Sequence, residues 1–234
     1  MTFRFFLLVA LLQSASGIVV HQAGFASFKQ KAVQLFNSEH PSPALMATLR
    51  AYKGSDLKTY SKRLDVLVHG ENDSRAAVIY TLAYLDVDVD RNVNRLKAKY
   101  KQYRRVRETP AASIDYLPWA FYSIFISTRK ISALTALWEM ELDGSNAEAQ
   151  SWFTYKALLT EPELVVTHLK LGKEIKSRSF LRVVQEEGLP EKVTTMLRRF
   201  SKQANSTTIK KIFEAGKLHG SPPLWGPRHL LVVI

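Results

Sequence analysis

Apolar residues recur every three or four positions along most of the chain, which is the spacing of one face of an α-helix. The range Phe25–Phe36 is the first clear example. Trp119, Trp138 and Trp152 share this spacing, and we expect them to pack between helices rather than to line a ligand cage. Strand-like alternation is rare, so the pattern predicts an all-α protein, a bundle or stacked array of roughly nine to eleven short helices.

Capping residues and prolines divide this pattern into segments. Ser42 followed by Pro43 predicts a capped helix start. The string Thr160–Glu163 predicts another start, with a cap, an acid, a proline and an acid in order. Pro118 is expected at the start of an aromatic-rich helix that follows a linker over residues 108–115.

The string Asp86–Asp90 reads DVDVD, which alternates like a short strand but also suits a join between two helices. A calcium loop beginning at Asp86 needs glycine at its sixth position and glutamate at its twelfth. Those positions hold Arg91 and Lys97. Because a lysine repels the ion, we expect solvated acids at a helix join instead of a metal site.

Catalytic motifs are absent from the sequence. The histidines form no HExxH or HxxxH pair, and no cysteine is present to complete a zinc site or to act as a nucleophile. Phosphate-binding loops, nucleophile elbows and dinucleotide-binding glycine motifs are absent as well. We therefore expect no catalysis and no metal or other cofactor, unless residues distant in sequence assemble a site.

Residues 1–17 have the pattern of a secretion signal. Arg4 precedes the apolar run Phe5–Leu12, and small residues follow in an A-x-G cleavage pattern. This run is shorter than the roughly 20 residues that span a bilayer, and no later segment approaches that length, so no transmembrane anchor is expected. The mature chain is expected to begin near Ile18, with a cut after Ser16 as the alternative.

Cysteine usage and charge bear on where the protein functions. The chain has 234 residues, no cysteine and a net charge of +12. Exported proteins commonly carry disulfides, so this one is either stable from its core alone or functions in a reducing compartment, such as the interior of another cell. Its length allows one large or two small domains. The positive charge favours acidic partners: nucleic acid, anionic lipid or acidic protein surfaces.

A basic run without an intervening acid occupies the predicted helix at residues 91–107. Its cations are Arg91, Arg95, Lys97, Lys99, Lys101, Arg104, Arg105 and Arg107. Tyr100 and Tyr103 lie between them. Three interpretations remain open: a solvated helix face, a nuclear import signal, or a stripe that binds the phosphates of nucleic acid.

Two positions carry the signature of N-glycosylation. They are Asn72 and Asn205, each followed two residues later by serine or threonine. The signature is either used during export or a chance match in a chain of this length.

The range Ala147–Gly172 resembles the first half of the WY helical module found in secreted RxLR effectors of oomycete plant pathogens. In that module an alanine-rich helix carries a tryptophan, a turn with Ser/Thr, acid and proline follows, and the next helix ends in Leu-Lys-Leu. Trp152 matches the tryptophan and Thr160–Glu163 the turn. Leu169 and Leu171 match the leucines, so the resemblance implies that these two and Trp152 are core positions.

The segment from Phe180 onward resembles the second half of the module. Its characteristic tyrosine is missing, and Leu197 or Phe200 is expected to fill that space. The earlier stretch Leu35–Tyr52 is similar to the second half too. No Arg-x-Leu-Arg motif follows the signal, and the nearest string, Arg104–Arg107, lacks the leucine.

The expected organisation has four parts. These are a signal at 1–17, an N-terminal helical region at 18–108, a WY-like helical module at 109–219 and a tail at 220–234. The resemblance implies a secreted effector that enters plant cells, resides in the host nucleus or cytoplasm, and suppresses immunity or cell death by binding host proteins without catalysis. The alternative is an extracellular helical enzyme or a protein that binds lipid or another small ligand.

Overall fold

The structure of the protein is a computed structural model with two compact units, Met1–Asp88 and Val89–Ile234. Within the described residues the chain forms eleven helices and no strand, which confirms the all-α prediction. The structure describes residues 24–38, 40–66, 73–105, 112–142, 144–170, 178–201 and 212.

The first unit contains four described helices. They are α1, which includes residues 24–36, α2 (Pro43–Ala51), α3 (Ser55–Val66) and α4 (Asp73–Tyr84). The predicted capped start is confirmed, because the backbone N–H of Leu45 donates to the Ser42 hydroxyl at 3.2 Å and Pro43 is the first helical residue. This bond satisfies one of the N–H groups that a helix start leaves without a partner.

An aromatic cluster holds the first three helices together. The ring of Phe28 on α1 lies 5.8 Å from Tyr60 on α3 and 5.3 Å from Tyr52 at the end of α2. The Tyr52 hydroxyl donates to the Ser27 hydroxyl at 3.3 Å. Burial raises the pKa of the Tyr60 phenol, and the Asp56 carboxylate raises it further. The phenol of Tyr60 is therefore neutral throughout the physiological pH range.

The second unit contains seven described helices. They are α5 (Val89–Arg105), α6 (Ala112–Thr128), α7 (Ile131–Trp138), α8 (Gly144–Thr160), α9 (Pro162–Lys170), α10 (Arg178–Glu187) and α11 (Glu191–Ser201). Helix α7 lies at the centre, because it contacts α5, α6, α8, α9 and α10. Its residues Ala133, Leu134, Ala136, Leu137 and Trp138 are all buried.

The C-terminal end of α7 is capped by a side chain from α8. The buried Gln150 donates from its Nε2 to the carbonyl oxygens of Leu137 at 2.5 Å and of Met140 at 2.8 Å. Carbonyls in the last turn of a helix have no partner within the helix, and leaving them unpaired in the interior destabilises the fold. One glutamine amide therefore satisfies two carbonyls at the end of the central helix.

Helices α6 and α8 run parallel. The rings of Tyr122 and Phe153 lie 5.2 Å apart at mid-helix, and the guanidinium of Arg129 pairs with Glu161 at 2.7 Å where both helices end. Arg129 adopts φ 56°, a left-handed conformation that usually favours glycine. An arginine at this position supplies the cation that ties the α6–α7 join to the α8–α9 join.

Helix α6 begins earlier than the sequence indicates. It starts at Ala112, so the end of the expected linker is helical and Pro118 lies inside the helix instead of at its start. A proline there removes the bond to the carbonyl of Ile114 and costs about 3 kcal/mol. Leu117 and Phe121 are fully buried beside it, and this burial offsets the cost.

The unit boundary also differs from the expected one near residue 108. It falls between Asp88 and Val89, because α5 packs against α6 and α7. The DVDVD string is a helix join and contains no strand. Asp86 and Asp88 adopt φ 64° and 49°, a conformation in which aspartate is more common than most residues.

The fold predicts opposite effects for one substitution at two buried threonines. No described residue accepts or donates a hydrogen bond at the Thr154 hydroxyl, whereas the Thr81 hydroxyl donates to the Ala77 carbonyl at 2.8 Å. Thr154→Val should raise the free energy of unfolding by about 1 kcal/mol, because it removes an unsatisfied polar group. Thr81→Val should lower it by about 1 kcal/mol.

Denaturant unfolding of the two variants and the parent chain measures both effects. Each variant is the control for the other, since the side-chain volume and helix propensity change in the same way. Destabilisation of similar size at both positions would show that the Thr154 hydroxyl is hydrogen-bonded.

Candidate anion-binding face of helix α5

Helix α5 confirms the predicted basic helix within the described residues. Its apolar positions Val89, Val93, Leu96 and Tyr100 are buried and form the inner face. Asp90 lies in the first turn, where a negative charge interacts favourably with the helix dipole. The basic run therefore belongs to a helix whose inner face is part of the core of the second unit.

Two ion pairs attach α5 to α7. Lys97 pairs with Glu139 at the C-terminal end of α7. Asp90 accepts a hydrogen bond from the Ser132 hydroxyl and lies 3.8 Å from the Lys130 ammonium at the N-terminal end of α7. The N-terminal ends thus lie together, and the two helices run parallel. Lys97 has a carboxylate partner within the fold, which reduces its availability to an external anion.

Tyr100 forms the third connection from α5. Its hydroxyl donates to the Glu141 carbonyl at 2.7 Å and accepts from the Glu141 backbone N–H at 3.0 Å. One phenol therefore satisfies both backbone groups of a residue that follows α7. Tyr100 therefore has a structural role within the second unit.

Among the cations of the basic run whose side chains the structure describes, two are buried. Arg95 is 8% exposed, and one of its terminal nitrogens donates to the Asn92 side chain at 2.6 Å. Lys99 is 4% exposed and donates to the Gln102 side chain at 3.4 Å. The prediction of a solvated face is wrong for these two, because they lie on a flank of α5 that the fold covers. Neither is placed to contact an external phosphate.

The remaining cations divide between the surface and the helix end. Arg91 and Lys101 are exposed. They are ten positions apart, so their Cα atoms lie about 15 Å from each other along the helix. Arg104 and Arg105 lie in the last turn of α5, and Arg107 lies outside the described residues. The five cations of the run whose side chains the structure describes therefore do not form one continuous anion-binding stripe.

The tryptophan of the WY-like segment lies at the edge of the core. Trp152 is partly exposed, with the Lys156 ammonium 4.7 Å from its ring centroid. Among the described tryptophans the buried one is Trp138, which is 3% exposed and packs 4.7 Å from the Phe180 ring. The expectation that tryptophans pack in the core thus holds for Trp138 and only in part for Trp119 and Trp152, which are partly exposed.

The other predicted site residues have these positions. Leu169 lies in α9, while Leu171, Asn72 and Asn205 lie outside the described residues. The predicted helix start within Thr160–Glu163 is confirmed at Pro162, the first residue of α9. The prediction of Thr160 as its cap is wrong, because Thr160 is the last residue of α8 and Glu161 directly precedes Pro162.

Metal ligands do not converge in the part of the chain that the structure describes. No group of three or more histidine, cysteine, aspartate or glutamate side chains there could hold a metal ion. His168 is partly buried, with its ring 6.4 Å from Trp138. Searched over the same residues, no helix has the length and apolar character needed to cross a membrane.

A second set of cations, in the first unit, lies outside the run that the sequence emphasises. Arg50, Lys53, Lys58 and Lys62 are all exposed, and none forms an ion pair with another described residue. They are spread singly over α2, α3 and the turn between them, so a search for continuous charge does not find them. Counting exposed positions on each predicted helix would have found Lys58 and Lys62, which are one turn apart.

Three comparisons test whether the chain belongs to a known group. Family models, curated proteins and solved structures all give no match. Function is therefore inferred from the chain's own sequence and geometry.

The contacts of Tyr100 predict a loss of stability when its hydroxyl is removed. Tyr100→Phe leaves the backbone N–H and carbonyl of Glu141 without their partner, so the free energy of unfolding should fall by roughly 1–2 kcal/mol. Tyr122→Phe is the matched control, because the Tyr122 ring packs on Phe153 and no hydrogen bond of its hydroxyl is seen. The control should change stability by less than about 0.5 kcal/mol.

Chemical denaturation of both variants provides the measurement. Equal stabilities for Tyr100→Phe and Tyr122→Phe would show that the contact between α5 and the residue after α7 contributes nothing.

Proposed function

We propose that the chain is a secreted effector that enters host plant cells and suppresses immunity or cell death by binding host proteins, without catalysis. The observation that carries the proposal is a cysteine-free helical core behind a segment with the pattern of a secretion signal. Burial of apolar side chains in both units provides a core without disulfides. Such a core suits a protein that is exported and then functions in a reducing cytosol.

The resemblance to the WY module supports this proposal in two places. The turn between α8 and α9 has the expected residues, and the helix pair α10–α11 follows it. Leu197 on α11 is fully buried, as expected for a residue that takes the place of the missing tyrosine. The partly exposed Trp152 departs from the expected core position.

The end of α5 is the segment that we propose for nuclear import. Arg95 and Lys99 are buried and Lys97 pairs with Glu139. An import receptor would therefore have to bind other cations of the run. Of the remaining cations, Arg91 and Lys101 are ten positions apart, whereas Arg104, Arg105 and Arg107 lie within four consecutive positions of the sequence.

The effector proposal is tested by expression in plant cells. The chain without Met1–Gly17, fused to a fluorescent protein, should reduce cell death triggered by a co-expressed elicitor. Leu134→Asp places a charge in the buried face of α7 and should abolish the effect by unfolding the second unit. The fluorescent protein alone is the second control.

Failure of the parent chain to alter cell death, when its accumulation equals that of the fluorescent protein, would contradict the effector proposal. Co-purification of lipid with the secreted protein would then favour the extracellular ligand-binding alternative.

The import proposal has a separate test, in which the test variant and the control variant each lose three positive charges. The triple variant R104A, R105A and R107A should shift the fusion from nucleus to cytoplasm. The control variant K192A, R198A and R199A removes three exposed cations from α11 and should leave the distribution unchanged. An unaltered nuclear fraction in the first variant, measured by microscopy, would contradict the proposal.

A further inference from the structure

Four exposed cations lie on α2, on α3 and in the turn between them, and none of them pairs with a described residue. Arg50 lies in the last turn of α2, Lys53 lies in the turn that follows, and Lys58 and Lys62 lie on α3. All four are exposed and without an ion pair to any described residue. We call these four residues the α2–α3 basic surface.

The core packing of α3 determines which way its lysines face. Leu57, Tyr60 and Leu64 are buried and form the inner face. Lys58 and Lys62 lie on the opposite side, and their spacing of four residues places their Cβ atoms about 6 Å apart. Both charges therefore point away from the first unit along one line.

The outward side of α2 offers little steric obstruction. Its exposed residues besides Arg50 include Ala44, Ala47 and Ala51. These small side chains let a bulky polymer approach the helix closely. Two exposed acids, Asp56 and Asp65, also lie on α3. Over residues 50–66 they are outnumbered by five cations, the four of the basic surface and Arg63.

The chemistry of the surface distinguishes among acidic partners. Lysine is depleted in protein–protein interfaces, where arginine and aromatic residues are enriched. A helix that lies on a membrane carries exposed Trp, Phe or Leu opposite its charges. The exposed large hydrophobic residues of the described chain are Tyr116 and Leu159, both in the second unit. What remains is a lysine-rich surface suited to phosphate oxygens.

We propose that the α2–α3 basic surface binds the phosphate backbone of double-stranded nucleic acid. A duplex carries one negative charge for about every 1.7 Å of its axis, so the two lysines Lys58 and Lys62, which lie one turn apart on α3, contact two phosphates at once. Because contacts to phosphates carry no sequence information, the binding has no sequence preference. The proposal is independent of the effector activity and is tested on the purified chain alone.

The test is fluorescence anisotropy of a short labelled DNA duplex at increasing salt concentration. The logarithm of the binding constant should fall linearly with the logarithm of salt concentration. K58A/K62A should weaken binding and make this slope less steep by about 2, one for each lost phosphate contact. Alanine is a strong helix former, so the exposed double variant should keep the fold.

Two control variants carry the same change in charge. R198A/R199A removes two exposed cations from α11, and R91A/K101A removes two exposed cations from α5. Both should leave the slope close to that of the parent chain. A duplex of unrelated sequence should bind with the same affinity.

Three results would overturn the proposal. The first is no binding to the duplex at low salt. The second is a salt dependence that becomes less steep in R91A/K101A and stays unchanged in K58A/K62A, which would assign the binding to α5. The third is stronger binding, at equal salt, to phosphatidylserine vesicles or to polyglutamate than to the duplex, which would assign the surface to a membrane or to an acidic protein.

Discussion

Burial of α7 is the constraint on which the second unit depends. The helix has eight residues, and an isolated helix of that length is not stable in water. Its stability comes from the five helices that surround it and from groups that bind its two ends. A change that withdraws one of these partners therefore weakens the packing of the whole unit as well as one contact.

Basic side chains have different surroundings in the two units. On α5, Arg95 and Lys99 are buried and hydrogen-bonded to side chains of the same helix, and Lys97 is paired with Glu139, so these cations are not presented to a ligand. On α3, Lys58 and Lys62 stand on an outward face with no partner in the described chain. Positive charges are denser along the sequence of α5 than of α3, yet Lys58 and Lys62 on α3 are more available to a ligand than Arg95, Lys97 and Lys99 on α5.

Helix positions were largely predictable because caps and apolar spacing are local signals. Ser42 with Pro43 predicts the start of α2 correctly, since both effects act within one turn. The prediction that Pro118 begins a helix was wrong, because the free-energy cost of a proline inside the helix is offset by burial that only the tertiary structure provides. The burial of Lys99 and the outward position of Lys58 were not predictable from a run of charges, since both depend on which helix face the core covers.

The Gln150 cap has a consequence for how the second unit folds. The amide reaches carbonyls only 13 and 10 residues earlier in the chain, so the contact is local and closes a short loop, which favours rapid formation. Until α8 is in place, the Met140 carbonyl lacks this donor, and the Leu137 carbonyl has only backbone donors, including the Met140 N–H at 3.4 Å. We therefore expect the formation of α7 and of α8 to be coupled during folding.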